Sequence, residues 1–179
     1  MLILLDIGNT SVTYGLYQNG RWQGFGSRLI DDIPKFINKC CKSGAEYHPY
    51  NLVISSVVPK NTLIIKKTLA KKPGIRLWIA GKNLPVPIRH RYKWPEKLGI
   101  DRRVNVYGAL QLYKPPLLII DFGTAITADY ISKKGVFEGG MIIPGPEISF
   151  QSLIERAALL PKKIRLPEKA LSFIGRSTY

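Results

Sequence analysis

The sequence predicts an α/β fold built from two units that open alike, and three observations predict it. Short apolar runs alternate with segments of helical spacing along the chain. An apolar strand ending in Asp-x-Gly occurs twice, running into Asp6 and again into Asp121. Between the two, Lys114-Pro115-Pro116 interrupts the pattern, which divides the chain into units 1–115 and 116–179.

Each element follows from local pattern. Leu2 to Asp6 is a short apolar strand that stops at an acidic residue. Val12 to Tyr17 and Arg21 to Arg28 flank Asn19-Gly20, a dipeptide that favours a tight hairpin, so the chain opens with antiparallel strands. Ile33, Phe36, Ile37, Cys40 and Cys41 have helical spacing, with Asp31-Asp32 as capping candidates and Pro34 in the first turn. Asn51 to Val58 reads as a buried strand ended by Pro59. A basic-faced helix follows over 61–72 with Leu63, Ile64 and Leu69 inward, then a strand over Arg76 to Ala80. Leu84 to Pro95 is Pro-rich and basic, hence a loop, and Asp101 to Tyr113 is helical. The second unit repeats the opening with strands at Leu117 to Asp121, Ala125 to Ile131 and Val136 to Ile143. A helix over Pro146 to Leu160 then turns Ile148, Leu153, Ile154 and Ala157 toward the core.

Composition limits the function classes. The chain carries 27 basic and 12 acidic residues, a net charge of +15, scattered without a block of like charge. Such a surface attracts anions of many kinds, nucleotides included. Nucleic-acid binding is not the expected main role, because neither zinc-finger spacing nor an aromatic RNP-like strand occurs. No apolar run is long enough to span a bilayer and no basic leader with a small-residue cleavage site is present, so no membrane role is expected. The two cysteines are adjacent and cannot form a zinc site alone, and a reduced, cytoplasmic setting fits them.

The chemistry is read from three turns. Asp6-Ile7-Gly8-Asn9-Thr10 and Asp121-Phe122-Gly123-Thr124-Ala125 each join two strands. Glycine there lets the backbone approach a polyphosphate, and exposed N–H groups with Asn9, Thr10 and Thr124 can hold its oxygens. A carboxylate at the strand end can hold the neutralising cation. Asp121-Phe122-Gly123 also spells the protein-kinase metal motif, but that family's companion signatures are absent. The third turn, Gly99-Ile100-Asp101-Arg102, enters a helix. Asp101 there can accept a proton from a substrate hydroxyl, and Arg102 can bind an anionic group. A weak base suffices, since phosphoryl transfer has a loose transition state.

Together with Ser55-Ser56-Val57-Val58-Pro59 and the segment Gly139-Gly140 to Pro144-Gly145, these motifs strongly resemble type III pantothenate kinase, in the family's order and across nearly the whole chain. The resemblance implies an actin-like fold of two ribonuclease-H-like lobes with mixed sheets. The second lobe is cut short, because family members continue past the counterpart of Tyr179. It implies ATP-dependent phosphorylation of pantothenate to 4′-phosphopantothenate, the first step of coenzyme A synthesis, by a homodimer using Mg²⁺ and K⁺ or NH₄⁺. By motif, Asp6, Ile7, Gly8, Asn9, Thr10, Ser11, Val12 and Thr13 form the first phosphate loop, with Asp6 near Mg²⁺. Asp101 is the proton acceptor. Tyr92, Gly99, Ile100, Asp101 and Arg102 line the pantothenate site, with Thr178 reaching it across the dimer. Asp121 ligates K⁺ and Thr124 touches ATP. Two alternatives stand beside this reading: a non-enzymatic accessory factor binding nucleic acid or an acidic partner, and an actin-like-fold kinase for another small hydroxyl substrate.

Overall fold

Alternating burial along the first strand, β1 (Leu2–Ile7), sets the frame. Ile3, Leu5 and Ile7 face the core, and Leu4 and Asp6 take the opposite side. The structure is a computed structural model and describes residues 1–29, 33–40, 50–69 and 74–157.

β2 (Ser11–Gln18) pairs antiparallel with β1 on one side and with β3 (Arg21–Leu29) on the other. Asn19 and Gly20 make the β2–β3 turn, both at positive φ (50° and 76°), the backbone that Asn-Gly supplies at least cost. β4 (Tyr50–Ser56) and β5 (Ile75–Ile79) continue the sheet in parallel, giving the mixed order β3-β2-β1-β4-β5. Helices α1 (Ile33–Cys40) and α2 (Pro59–Leu69) cover one face. Ile33, Ile37, Ile65 and Leu69 meet Ile3, Leu5, Ile7, Val12, Leu52 and Ile54 there. The capping candidates Asp31-Asp32 and Cys41 lie outside the described residues, as does the side chain of Cys40.

Two inward faces differ from expectation. α2 buries Thr62, Ile65 and Leu69, and leaves Leu63 and Ile64 exposed. Pro59 opens this helix rather than merely ending the strand. The Thr62 hydroxyl then donates to Ser56 Oγ at 2.8 Å, which fixes the helix rotation. In the second unit, α4 (Pro146–Arg156) buries none of its side chains, and Ile148 and Leu153 are exposed. Among the described residues β8 is its principal neighbour, so no second layer takes its apolar stripe.

The second sheet has the antiparallel order β6-β7-β8, from β6 (Leu117–Phe122), β7 (Ala125–Ile131) and β8 (Phe137–Pro144). α3 (Ile100–Leu112) packs on β4 of the first sheet and on β6 and β7 of the second. Its Val106 joins Leu98, Ile131 and Phe137 in a second buried cluster. The loop before α3 docks on the same cluster: Arg91 N–H donates to the Phe137 carbonyl and Phe137 N–H to that of Arg89. The two-lobed α/β expectation therefore holds for the described chain, and α3 with its preceding loop is the element that faces both sheets. No helix among the described residues is long and apolar enough to cross a membrane.

Candidate active site

The two Asp-x-Gly turns are alike in kind, though the second is one residue shorter: four residues link Ile7 to Val12 and three link Phe122 to Ile126. Gly8 N–H donates to the Ser11 carbonyl at 3.0 Å, and Gly123 N–H to that of Ala125 at 3.1 Å. A Cβ on either glycine would stand 3.4 Å from that same carbonyl oxygen. In each hairpin the aspartate pairs with a threonine across the ladder, Asp6 with Thr13 and Asp121 with Thr127. The repeat legible in the sequence is thus a repeat in three dimensions.

The turns also face one another. Thr10 Oγ1 and Thr124 Oγ1 lie 3.1 Å apart, hydroxyl to hydroxyl, although 114 residues separate them. Asp6 is exposed as a residue, yet partial desolvation of its carboxyl raises it above its usual value; the Ser55 hydroxyl offsets part of this, and the negative charges of Asp101 and Asp121 add to it. Three carboxylates from three elements therefore share one electrostatic field. The Ser55 hydroxyl is itself buried and lacks a well-aligned partner. Beside Asp6 and Ser55 opens a cavity of about 340 Å³ with apolar walls from Leu4, Val86, Val104 and Tyr107.

Alternation sorts the first phosphate loop. Ile7 and Val12 pair with each other and are buried in the core, so only their backbone can meet a ligand. Asn9, Thr10, Asp6 and Thr13 are exposed, while Gly8 and Ser11 are half-buried between them. Thr124 is exposed beside Thr10. Gly145 closes on the second turn from behind: its N–H donates to the Thr124 carbonyl at 3.0 Å. A Cβ there would strike the carbonyl oxygens of Gly123 and Thr124.

α3 carries the third aspartate. Gly99 is its N-cap, so Asp101 lies inside the first turn, two residues past the cap. Asp101 Oδ1 accepts the peptide N–H of Arg102 at 2.8 Å. Asn105, one turn later, donates to Asp121 Oδ2 at 3.1 Å. Sequence reading missed Asn105; its i+4 spacing from Asp101 is the signal that could have found it. Ile100 packs over Gly81, whose φ of 74° lets the chain turn there.

Arg102 was read as an anion receptor. In the structure its guanidinium is buried against Asp129, a residue the sequence reading passed over. Burial alone lowers the Arg102 guanidinium, but the hydrogen bonds and charge of Asp129, helped by Tyr92, raise it above its usual value. Tyr92 stacks on Phe137 with 6.1 Å between ring centroids. Thr178 lies outside the described residues.

Asp6 and Asp121 are the acidic oxygens at the mouth able to take a hard cation. Among the described residues no three His, Cys, Asp or Glu side chains converge on one metal point. A cation held there would therefore complete its shell with phosphate oxygens and water, the usual habit of Mg²⁺.

Comparison with known proteins identifies the family of the chain. The family model described as type III pantothenate kinase matches residues 2–179. A type III pantothenate kinase of Persephonella marina is 38% identical over 174 residues, covering 90% of this chain and 67% of that one. One from Finegoldia magna is 34% identical over 188 residues, covering 99% of this chain and 70% of the relative. Among solved structures, a Campylobacter jejuni protein described as a Baf-family transcriptional activator superposes with a TM-score of 0.55 at 18% identity. The match covers 98% of this chain and 69% of that one, and shows a shared fold.

Proposed function

The chain belongs to the type III pantothenate kinase family, and from that premise we propose that it transfers the γ-phosphoryl group of ATP to the 4′-hydroxyl of pantothenate. The new bond joins the hydroxyl oxygen to phosphorus, the bond to the β-phosphate oxygen breaks, and ADP leaves. Asp101 accepts the hydroxyl proton. The observation that carries the proposal is the contact of Thr10 with Thr124 across the opening, with Asp121 of the second turn tied to Asn105 on the helix that carries Asp101.

In this reading the backbone of Asp6 to Thr13 and the Thr124 hydroxyl orient the triphosphate. Asp6 holds Mg²⁺ and Asp121 holds K⁺ or NH₄⁺, which together supply counter-charge to the phosphate oxygens. Tyr92, Gly99, Ile100 and Arg102 form the acceptor side, with Thr178 of a second copy completing it in a homodimer. The units 1–115 and 116–179 are the two lobes, and the cytoplasm is where ATP and pantothenate meet. The accessory-factor alternative is not favoured, since the relatives matched across the chain carry the kinase name.

The test is pantothenate-dependent ADP release in the presence of Mg²⁺, with K⁺ and with Na⁺ in its place. Release that needs pantothenate and K⁺, and that falls to a small residual rate in Asp101→Asn, is expected. Normal turnover by Asp101→Asn refutes the assigned base.

A further inference from the structure

Among the described residues Asp129 is the one acidic side chain with no exposure at all. It sits in β7 (Ala125–Ile131), a strand that carries no other charge. A charge buried in this way requires a partner. That partner is Arg102, whose Nε reaches Oδ1 and Oδ2 at 3.0 and 3.3 Å and whose Nη2 reaches Oδ1 at 2.5 Å. The guanidinium also lies over the Phe137 ring, 5.6 Å from its centroid, and Tyr92 stacks on the same ring.

The fold makes room for the pair at one point. Gly140 stands opposite Asp129 in the β7–β8 ladder. A Cβ on Gly140 would meet Asp129 Oδ1 at 2.5 Å and Arg102 Nη2 at 2.8 Å. The glycine is the gap through which α3 reaches the strand. The Ala128 carbonyl oxygen crowds the same point, so Gly140 is held by the strand backbone as well as by the ion pair.

The pair has a consequence one residue away. The Arg102 peptide N–H belongs to the first turn of α3, where helical acceptors are missing. It donates instead to Asp101 Oδ1 at 2.8 Å. Arg102 is thus gripped at both ends, by Asp129 at the guanidinium and by Asp101 at the backbone.

We infer that Asp129 is a positioning residue: it locks Arg102, and through Arg102 the first turn of α3, so that the Asp101 carboxylate is held in one orientation toward the acceptor hydroxyl. Arg102 then serves as a brace on the acceptor side, with two of its three guanidinium nitrogens committed to Asp129. The inference rests on the reading of Asp101 as proton acceptor in a pantothenate kinase.

Two readouts on Asp129→Asn test it. In steady-state kinetics, kcat falls about ten- to a hundredfold while KM for pantothenate stays within about threefold. Introduced into Asp101→Asn, whose residual rate is read in single-turnover assays at high enzyme concentration, the same change costs less than about threefold more, because the group it positions is already gone. Independently of activity, amide hydrogen exchange at Arg102, whose acceptor is Asp101 Oδ1, speeds up about tenfold or more, while exchange at Val106 in mid-helix is unchanged. Should Asp129→Asn fail to fold, Arg102→Lys takes its place: it keeps a positive charge beside Asp129 but loses the planar fork, and the same shifts are expected. The inference is overturned if KM rises with kcat kept, if kcat is unaltered, if the losses multiply with Asp101→Asn, or if Arg102 and Val106 exchange rise together. A wild-type chain that turns over no pantothenate sinks the kinase reading instead, and the exchange comparison alone then decides whether Asp129 positions Asp101.

Discussion

Gly99→Ala isolates the placement of the base from the stability of the fold. Gly99 has φ −53° and ψ 139°, an extended backbone open to alanine, so the substitution carries no conformational strain. An added Cβ would, however, overlap Asp101 Oδ1, with Cγ at 3.5 Å and Oδ2 at 3.9 Å. Restoring ordinary contact pushes the carboxylate back by about 1 Å. Oδ1 is the atom that accepts the Arg102 N–H, so that hydrogen bond goes as well, a loss of about 0.5–1.5 kcal/mol. Replacing glycine stiffens the unfolded chain and returns about 0.4–1 kcal/mol, which leaves stability nearly unchanged. Catalysis fares differently, because a displacement of about 1 Å at a reacting group costs about 100-fold in rate, or about 2.7 kcal/mol of barrier. The assay is ADP release at saturating ATP and pantothenate, beside a thermal melt. A folded Gly99→Ala protein turning over within about threefold of wild type would show that the Asp101 orientation does not limit the reaction.

The other predictions bear on the mouth of the site. Asp6 has a raised carboxyl pKa in the fold, so its contribution favours folding below the unfolded value of 3.8 and is lost as pH rises through the folded value. Asp6→Asn is therefore expected to melt higher than wild type at pH 7 and equally below pH 3.8. The gain is at most about 1 kcal/mol, because Asp6 is exposed and water screens it; a lower melting point at pH 7 contradicts the assignment. Gly145→Ala drives a Cβ into backbone atoms that cannot step aside, Thr124 O at 2.5 Å and Thr124 C at 2.9 Å. It should cost about 1–3 kcal/mol in a thermal or urea melt and raise KM for ATP, and an unchanged melt would mean that the turn yields freely. ATP titrated calorimetrically should bind at least about tenfold more weakly in EDTA than with Mg²⁺, given three carboxylates at the phosphate end; equal affinities would remove the need for a cation.

Much of the fold was legible because its signals are local. Alternation in Leu2–Ile7, the Asn19-Gly20 turn and the repeated strand before Asp121 each specify an element without reference to the rest of the chain. Where an element's rotation depends on a neighbour, the same reasoning fell short. Leu63 and Ile64 lie six and five residues before Leu69, off its face of the helix, whereas Ile65, four before it, turns inward beside Thr62, which a hydrogen bond ties to Ser56. The candidate site divides in the same way. The three turns could be named from residue types, but the contact between Thr10 and Thr124 is a fact of how the two units pack. The Arg102–Asp129 pair lay further from view, because nothing in a strand of seven residues says which distant cation will neutralise its one acid. A lone charge in an apolar strand does signal that some partner must exist.

The electrostatics of the mouth bear on how the two Asp-x-Gly turns work together. A chain of net charge +15 presents a surface that draws polyphosphates from a distance. At the first turn, however, the Asp6 carboxyl meets Asp101 and Asp121 as repulsion. Overall attraction with local rejection cannot hold a bare anion in place, whatever the number of backbone N–H groups offered. It can hold an anion that arrives with its own counter-charge, and two strand-end carboxylates on opposite units then act as one receptor. On this basis neither turn suffices alone, and the joint between the units, made by α3 and the Thr10–Thr124 contact, is part of the binding site as well as of the fold.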